Sequence, residues 1–299
     1  MKVKSVFVIL FSVFLLITSG IRAGAETIRY GTLEVDTEAE ELDVGKTEIH
    51  NWEKFMDFLE QLPRLKKVDL YNCYTNYNTV NALYERFPEI EFGLTLRIGE
   101  LRVRNDITAF STLHGTGDPT YGYKTLSQLK YCRNLKALDI GHNFVRNLDF
   151  LYEMPQLRVL IVAICDVEDI TPVGSLKNLE YLEVFRNKVT DISCLAGLPH
   201  LLDLNIVENY ISDLTPLTQI KTLKRLWIHD CNQKKRSEPT AETLQMLRSA
   251  LPDCYIDAVS SNTGGGWREH PHFDVIYKMF RARTYMPFED SWPDDETGN

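Results

Sequence analysis

After residue 17 the chain has no apolar run long enough to span a bilayer, which takes about 20 such residues. It is also short of positive charge: 33 Lys and Arg face 42 Asp and Glu, a formal balance of −9. That sign disfavours nucleic acid and anionic lipid, which are held by clustered Lys and Arg. The nearest thing to a basic run, Lys234-Lys235-Arg236, reads as a solvated loop. The stretch "TGGGW" lacks the Lys-Ser/Thr pair of a phosphate-binding loop. These absences leave an acidic chain that is expected to be soluble once processed.

The first 25 residues read as a secretory leader: Lys2 and Lys4, an apolar stretch from Val6 to Ile17, then Ala23-Gly24-Ala25 as cleavage site. Cleavage would leave Glu26 first; three basic and no acidic residues leave with the leader, taking the charge from −9 to −12. The expected product is monomeric and either secreted or associated with the cell surface.

What fills the mature chain is one apolar word repeated on a strict period, the step from Leu135 to Leu157. One column reads Leu135, Leu157, Leu179, Leu201, Leu223; the next reads Leu138, Leu160, Leu182, Leu204, Leu226. The third is Ile140, Val162, Val184, Ile206, Ile228, and the fourth is Asn143, Cys165, Asn187, Asn209, Cys231. In L-x-x-L-x-L a short strand turns its leucines into a coil that one repeat cannot close, so neighbouring strands stack about 4.8 Å apart and share a core. At the fourth column the chain bends, and an Asn amide (or, more weakly, a thiol) can bond the backbone groups left unpaired. Thr-Pro in "DITPVGSLKNL" and "DLTPLTQIKTL" opens a turn or short helix.

The columns continue upstream through Leu65, Val68 and Leu70 to Phe87, Ile90 and Phe92, and back to Leu42. Downstream they reach Leu251, Cys254 and Ile256 after a longer turn. Helical spacing on the outer side is expected in "VNALYERFPEIEF" and "AETLQMLRSALPDCYI". The pattern predicts an α/β leucine-rich-repeat solenoid with a parallel concave sheet. The expected organisation is a cap and irregular repeats over 26–98, an excursion over 99–128, regular repeats over 129–258 and a C-terminal cap with an acidic disordered tail over 259–299. Glu26 to Val35 is expected to be a cap strand.

The repeating unit from Leu129 to Cys231 resembles the internalin-type leucine-rich repeats of bacterial surface proteins. "TAFSTL", "YCRNLKALDIGHN" and "NTGGGWREHP" are similar to secreted leucine-rich-repeat proteins of anaerobic Firmicutes. The resemblance implies extracellular recognition of a partner on the concave face. Unlike anchored members, the chain shows no C-terminal sorting motif, apolar tail or wall-binding repeat.

The six cysteines do not suggest a disulfide framework. Cys165 and Cys231 stand three repeats apart, about 14 Å, beyond the reach of a bridge. Five cysteines, Cys254 among them, are expected as buried thiols at core or ladder columns, with Cys194 partly exposed. Consecutive His229-Asp230-Cys231 suggests a catalytic set, but strand neighbours face opposite ways and a Cys-His pair needs one accessible side. "EHPHFD" offers two histidines and two carboxylates without metal-site spacing. No enzymatic activity, metal site or cofactor is expected; an unrecognised hydrolase is the third-ranked alternative.

Residues between the leucines point to the concave side. There Tyr181, Glu183, Phe185, Asp203, Asn205, Arg225, Trp227 and His229 form the expected partner-binding patch, with aromatics edged by charge. The ligand class is protein or glycan, and the runner-up function is a structural surface protein without a ligand. Phe273, Ile276, Tyr277 and Phe280 recur at helical spacing. That stripe is expected to close the open end of the solenoid after Ile256; the alternative is that it folds back over the patch.

Overall fold

The structure, a computed structural model, describes residues 26–113, 120–232, 239–259 and 266–291. The leader, the basic run Lys234-Lys235-Arg236, most of "TGGGW" and residues 114–119 of the expected excursion lie outside the described residues. No helix of the described residues is long and apolar enough to cross a membrane.

The chain opens with an antiparallel hairpin, β1 (Thr27–Tyr30) and β2 (Leu33–Asp36), where a single cap strand was expected. Three parallel strands follow, β3 (Glu41–Asp43), β4 (Lys67–Asp69) and β5 (Glu91–Gly93). A second hairpin, β6 (Thr95–Ile98) and β7 (Leu101–Arg104), interrupts the stack. Its turn residue Gly99 has φ +59°, and a Cβ there would sit 2.2 Å from the Tyr121 ring. No other residue type fits that turn.

The main sheet has seven parallel strands in sequence order. They are β8 (Ala109–Ser111), β9 (Ala137–Asp139), β10 (Val159–Ile161), β11 (Tyr181–Glu183), β12 (Asp203–Asn205), β13 (Arg225–Trp227) and β14 (Tyr255–Asp257). From β9 to β13 each residue pairs with its equivalent one repeat later, Leu138 with Leu160, Leu182 with Leu204 and so on to Leu226. Strand β8 falls inside the stretch expected as an excursion: Phe110 pairs with Leu138 and takes the leucine column. Leucine-rich repeats therefore run through most of the molecule, and the fold is a leucine-rich-repeat solenoid.

At the irregular repeats the pairing differs from the sequence alignment by two positions. Val68 pairs with Phe92 rather than Ile90, and Leu226 pairs with Ile256 rather than Cys254. A slip of two keeps the same side chains facing inward, so alternation alone cannot detect it. It explains why Cys254 is half-buried rather than core. Both slips follow repeats that carry a full α-helix on the convex side, α2 (Tyr77–Arg86) and α4 (Ala241–Ala250), as their spacing predicted. The preceding α1 (Trp52–Leu59) is capped by Asn51, whose side chain accepts from the Lys54 N–H. A short α3 (Tyr123–Leu126) stands before the regular repeats. These use single 3-10 turns instead, such as Thr171–Ser175 and Thr215–Gln219 with Pro near the start.

One apolar core runs from Val35 to Ala258 beneath both parallel sheets. The asparagine ladder holds its edge. The Asn187 Oδ1 accepts from the Cys165 and Val167 N–H groups at 3.0 Å, and its Nδ2 donates to the carbonyls of Val162 and Val184. Asn209 donates likewise to Val184, Ile206 and Val207. Cys165 fills the same position with its Sγ 3.2 Å from the Ile140 carbonyl. All six cysteines are free, with Cys73, Cys132, Cys165 and Cys231 buried. The residue before each ladder position is left-handed: His142, Ile164, Arg186, Glu208 and Asp230 have φ between 43° and 60°. For β-branched Ile164 that is a strained conformation.

Candidate functional site

Strand alternation places the patch residues on the concave side of the main sheet, as expected. They are not exposed there. Tyr181, Asp203 and Asn205 are 0% exposed, Trp227 is 3% and Phe185 8%. Glu183 is buried too, and Arg225 and His229 are half-buried. The cover is the chain's own C-terminal segment, not a partner. After a turn at Trp267–Glu269, α5 (Pro271–Ala282) lies over the strands, and Phe288 follows.

The stripe was expected to cap the open end beyond Ile256. Instead the segment crosses the sheet toward its first strands, where the Tyr285 N–H donates to the Thr108 Oγ1 at 2.8 Å. The buried face of α5 is His272, Ile276, Met279 and Phe280, with Tyr277 49% exposed. The sheet itself decides this. Ala137, Val159, Ile161, Tyr181, Phe185 and Trp227 make a continuous apolar surface, and a second core forms when Trp267, Ile276, Met279, Phe280 and Phe288 cover it. Parallel sheets with both faces covered are the common case.

Three polar groups stitch segment to sheet. The Trp267 Nε1 donates to the Glu183 Oε2 at 2.9 Å, and the Tyr181 hydroxyl lies 3.3 Å from the same oxygen. Burial pushes the Glu183 carboxyl up to about 7, against the Trp267 bond, which favours the ionised form. At the sheet edge Arg158 pairs with fully buried Glu180 at 2.8 Å, and the Ser291 Oγ donates to Glu180 at 2.8 Å. The tail expected to be disordered after Phe288 is thus part of the cover as far as Ser291.

The third group is centred on Asp203. Arg225 donates to it through Nε, and the His272 Nδ1 lies 2.5 Å from its Oδ2. The other ring nitrogen of His272 is 2.7 Å from the Asp290 Oδ1. His270 packs beside Trp267 and His272, and burial pushes its ring down to about 4, leaving it neutral at pH 7. Both His270 ring nitrogens, and the Asn205 Nδ2, are buried without a hydrogen-bond partner among the described residues. Asp203, His270 and His272 bring ligand atoms within 4.8 Å of one another, a potential metal-ligand group among the described residues.

Beside these contacts the cover leaves a cavity of about 320 Å³. Its walls include Ile161, Ile164, Phe185, Phe273 and Phe280, with Asp139, Glu183 and Arg268 as polar members. Asp139 is held by the Ser111 hydroxyl at 2.7 Å and the Gly141 N–H at 2.9 Å. The walls thus combine apolar groups with two carboxyls and the Arg268 guanidinium. Two patch residues, Glu183 and Phe185, line it; Tyr181, Trp227 and Asp203 lie under the cover. Reading the patch by itself missed Trp267, Arg268 and His270, although "GGGWREHP" was already conspicuous. Cys231 sits in the main core, so His229-Asp230-Cys231 does not present a thiol to solvent.

The family model for "Leucine Rich repeats (2 copies)" matches residues 177–219. Among solved structures, an internalin (inlF) from Listeria monocytogenes is 18% identical with a TM-score of 0.40, covering 52% of this chain and 50% of that one. The chain therefore spans about half the length of that internalin. Internalin C2 from the same organism is 22% identical with a TM-score of 0.37, covering 66% of this chain and 76% of that chain. The Arabidopsis receptor kinase HAESA, in complex with the peptide hormone IDA and the co-receptor SERK1, is 17% identical with a TM-score of 0.31, covering 62% and 27%. No curated protein matches the chain.

Proposed function

We propose that the chain is a secreted, non-enzymatic recognition module of internalin type. It holds a short segment of a protein partner in the cavity between the concave sheet and α5. The observation that carries this reading is the cavity itself, where apolar walls from sheet and helix meet the buried carboxylates of Asp139 and Glu183. Such a site takes an apolar side chain next to a Lys or Arg, and the acidic surface of the protein would steer that partner in. A glycan would find few polar groups on these walls.

Immobilised protein should retain peptides pairing an apolar residue with a basic one from a random library. Replacing Ala163, a wall residue, with Phe should fill the cavity and abolish capture while the melting temperature stays near that of the wild type. Undiminished capture by Ala163→Phe, or enrichment of acidic or sugar ligands, would refute the reading. The burial of Tyr181 and Trp227 by the chain's own segment favours a second reading, a structural surface protein without a ligand. That reading predicts that no peptide is enriched.

A further inference from the structure

We propose that Asp203, His270 and His272 bind a zinc-like divalent ion that clasps the C-terminal segment onto the concave sheet. Asp203 belongs to β12 and the two histidines to the covering segment, so one ion would join elements far apart in the sequence.

The strongest sign is His270. Almost every buried polar atom in a folded protein has a partner, and leaving one without is costly. His270 has two such nitrogens, enclosed and unbonded, within reach of a carboxylate and a second imidazole. Imidazole is a common metal ligand, and bonding an ion would remove this deficit.

The surroundings fit the expected outer contacts. Asp203 offers Oδ2 toward His272 while its Oδ1 is held by the Arg225 Nε. The His272 Nδ1 faces the site and its Nε2 bonds Asp290, the carboxylate–histidine–metal relay common in zinc proteins. Arg225 opposes binding: its Nη2 lies 2.8 Å from the His272 Nδ1, 3.2 Å from the His272 Nε2 and 3.3 Å from the Asp203 Oδ2. The guanidinium must turn aside and the direct His272–Asp203 bond must give way. The charge balance tolerates the ion, because Asp203 and Asp290 together outweigh Arg225. Ligands in a tetrahedral zinc site stand about 3.4 Å apart. The Asp203–His272 pair, now 2.5 Å, must therefore open by roughly an ångström while the wider pairs, within 4.8 Å, close onto the ion. Two imidazoles and a carboxylate select Zn²⁺ or Co²⁺ over Mg²⁺ and Ca²⁺, which take oxygen ligands.

The full chain, freed of metal by chelation, would be titrated with zinc by calorimetry, and its melting followed with zinc, with magnesium and with chelator. We expect saturable, equimolar zinc binding and a higher melting temperature with zinc only. Co²⁺ should give a tetrahedral visible spectrum without thiolate charge-transfer absorption, which separates this site from the six cysteines. His270→Ala should abolish the zinc-dependent rise, with the melting temperature the same in zinc and in chelator, although loss of the ring's packing against Trp267 and His272 lowers both. Asp290→Asn should weaken zinc about tenfold or more through His272. His50→Ala, at an exposed histidine elsewhere, should change nothing. Absence of saturable binding, a thiolate spectrum, or zinc binding undiminished in His270→Ala would overturn the proposal. Ala163→Phe should leave zinc binding intact, so failure of the cavity reading and failure of this one are told apart.

Discussion

The two parallel sheets share one solenoid core and differ on the opposite face. On the three-stranded sheet, the positions between the core residues are Glu41 and Asp43, Lys67 and Asp69, then Glu91 and Gly93; all but Gly93 are exposed or half-buried. On the seven-stranded sheet the same positions mix Ala109, Ala137, Val159, Ile161, Tyr181 and Trp227 with Asp139, Glu183, Asp203 and Asn205, and all of these are buried, while Tyr255 of the last strand is exposed. A face that carries charge and no large apolar group is left to water, whereas buried carboxylates such as Asp139, Glu183 and Asp203 on the other sheet are each hydrogen-bonded. Apolar groups there require a cover, and the chain supplies it. Along one row Glu41, Lys67 and Glu91 alternate in sign, which favours pairing of adjacent strands, whereas in the next row Asp43 faces Asp69 with like charge, which water at the open face screens.

The largest effects should come from showing that the covered face is core. Trp267→Ala should cost about 3–5 kcal/mol by urea unfolding, comparable to the roughly 2–5 kcal/mol of Leu182→Ala on the leucine side. If Trp267→Ala leaves stability unchanged, the covered sheet is no different from the open one.

Next in size is the buried carboxyl of Glu183. In the unfolded chain it ionises near pH 4.5, in the folded chain only near 7. The native state therefore keeps a proton that the unfolded state has lost, and stability falls as pH rises across that window, then levels off. Glu183→Gln, which can still accept from Trp267, should be more stable than wild type by on the order of 3 kcal/mol at pH 8, and by little at pH 4. A difference that does not vary with pH would mean that Glu183 is solvated.

The ladder sharpens the account within the main sheet. Asn187→Leu removes the acceptor of two buried N–H groups and should cost about 1–3 kcal/mol in chemical denaturation. Smallest of all, Glu41→Gln on the open sheet should shift stability by no more than about 0.5 kcal/mol.

The repeat itself was plain in the sequence because its period is strict: Leu138, Leu160, Leu182, Leu204 and Leu226 occupy the positions their spacing predicts. Slips of two positions at Phe92 and Ile256 were not legible, since they preserve facing. Strand β8 was missed because its Phe110 precedes its partner Leu138 by more than one period, which puts it outside the comb. The candidate site was half legible. Alternation placed Tyr181, Glu183, Phe185 and Trp227 on one face, but periodicity carries no information on what covers a face. That depends on Trp267 and Phe288, which repeat nothing. The segment's amphipathic spacing showed that it must bury a stripe, while the choice of surface rested on shape and area.

The most direct test is hydroxyl-radical footprinting of the native protein. Tyr181, Phe185 and Trp227 should be protected to the level of core residues such as Phe110, while Tyr74, Phe144 and Tyr255, exposed by 60% or more, are labelled readily. Labelling of Tyr181 and Trp227 at the rate of those exposed rings would contradict the account, because the concave face would then be open.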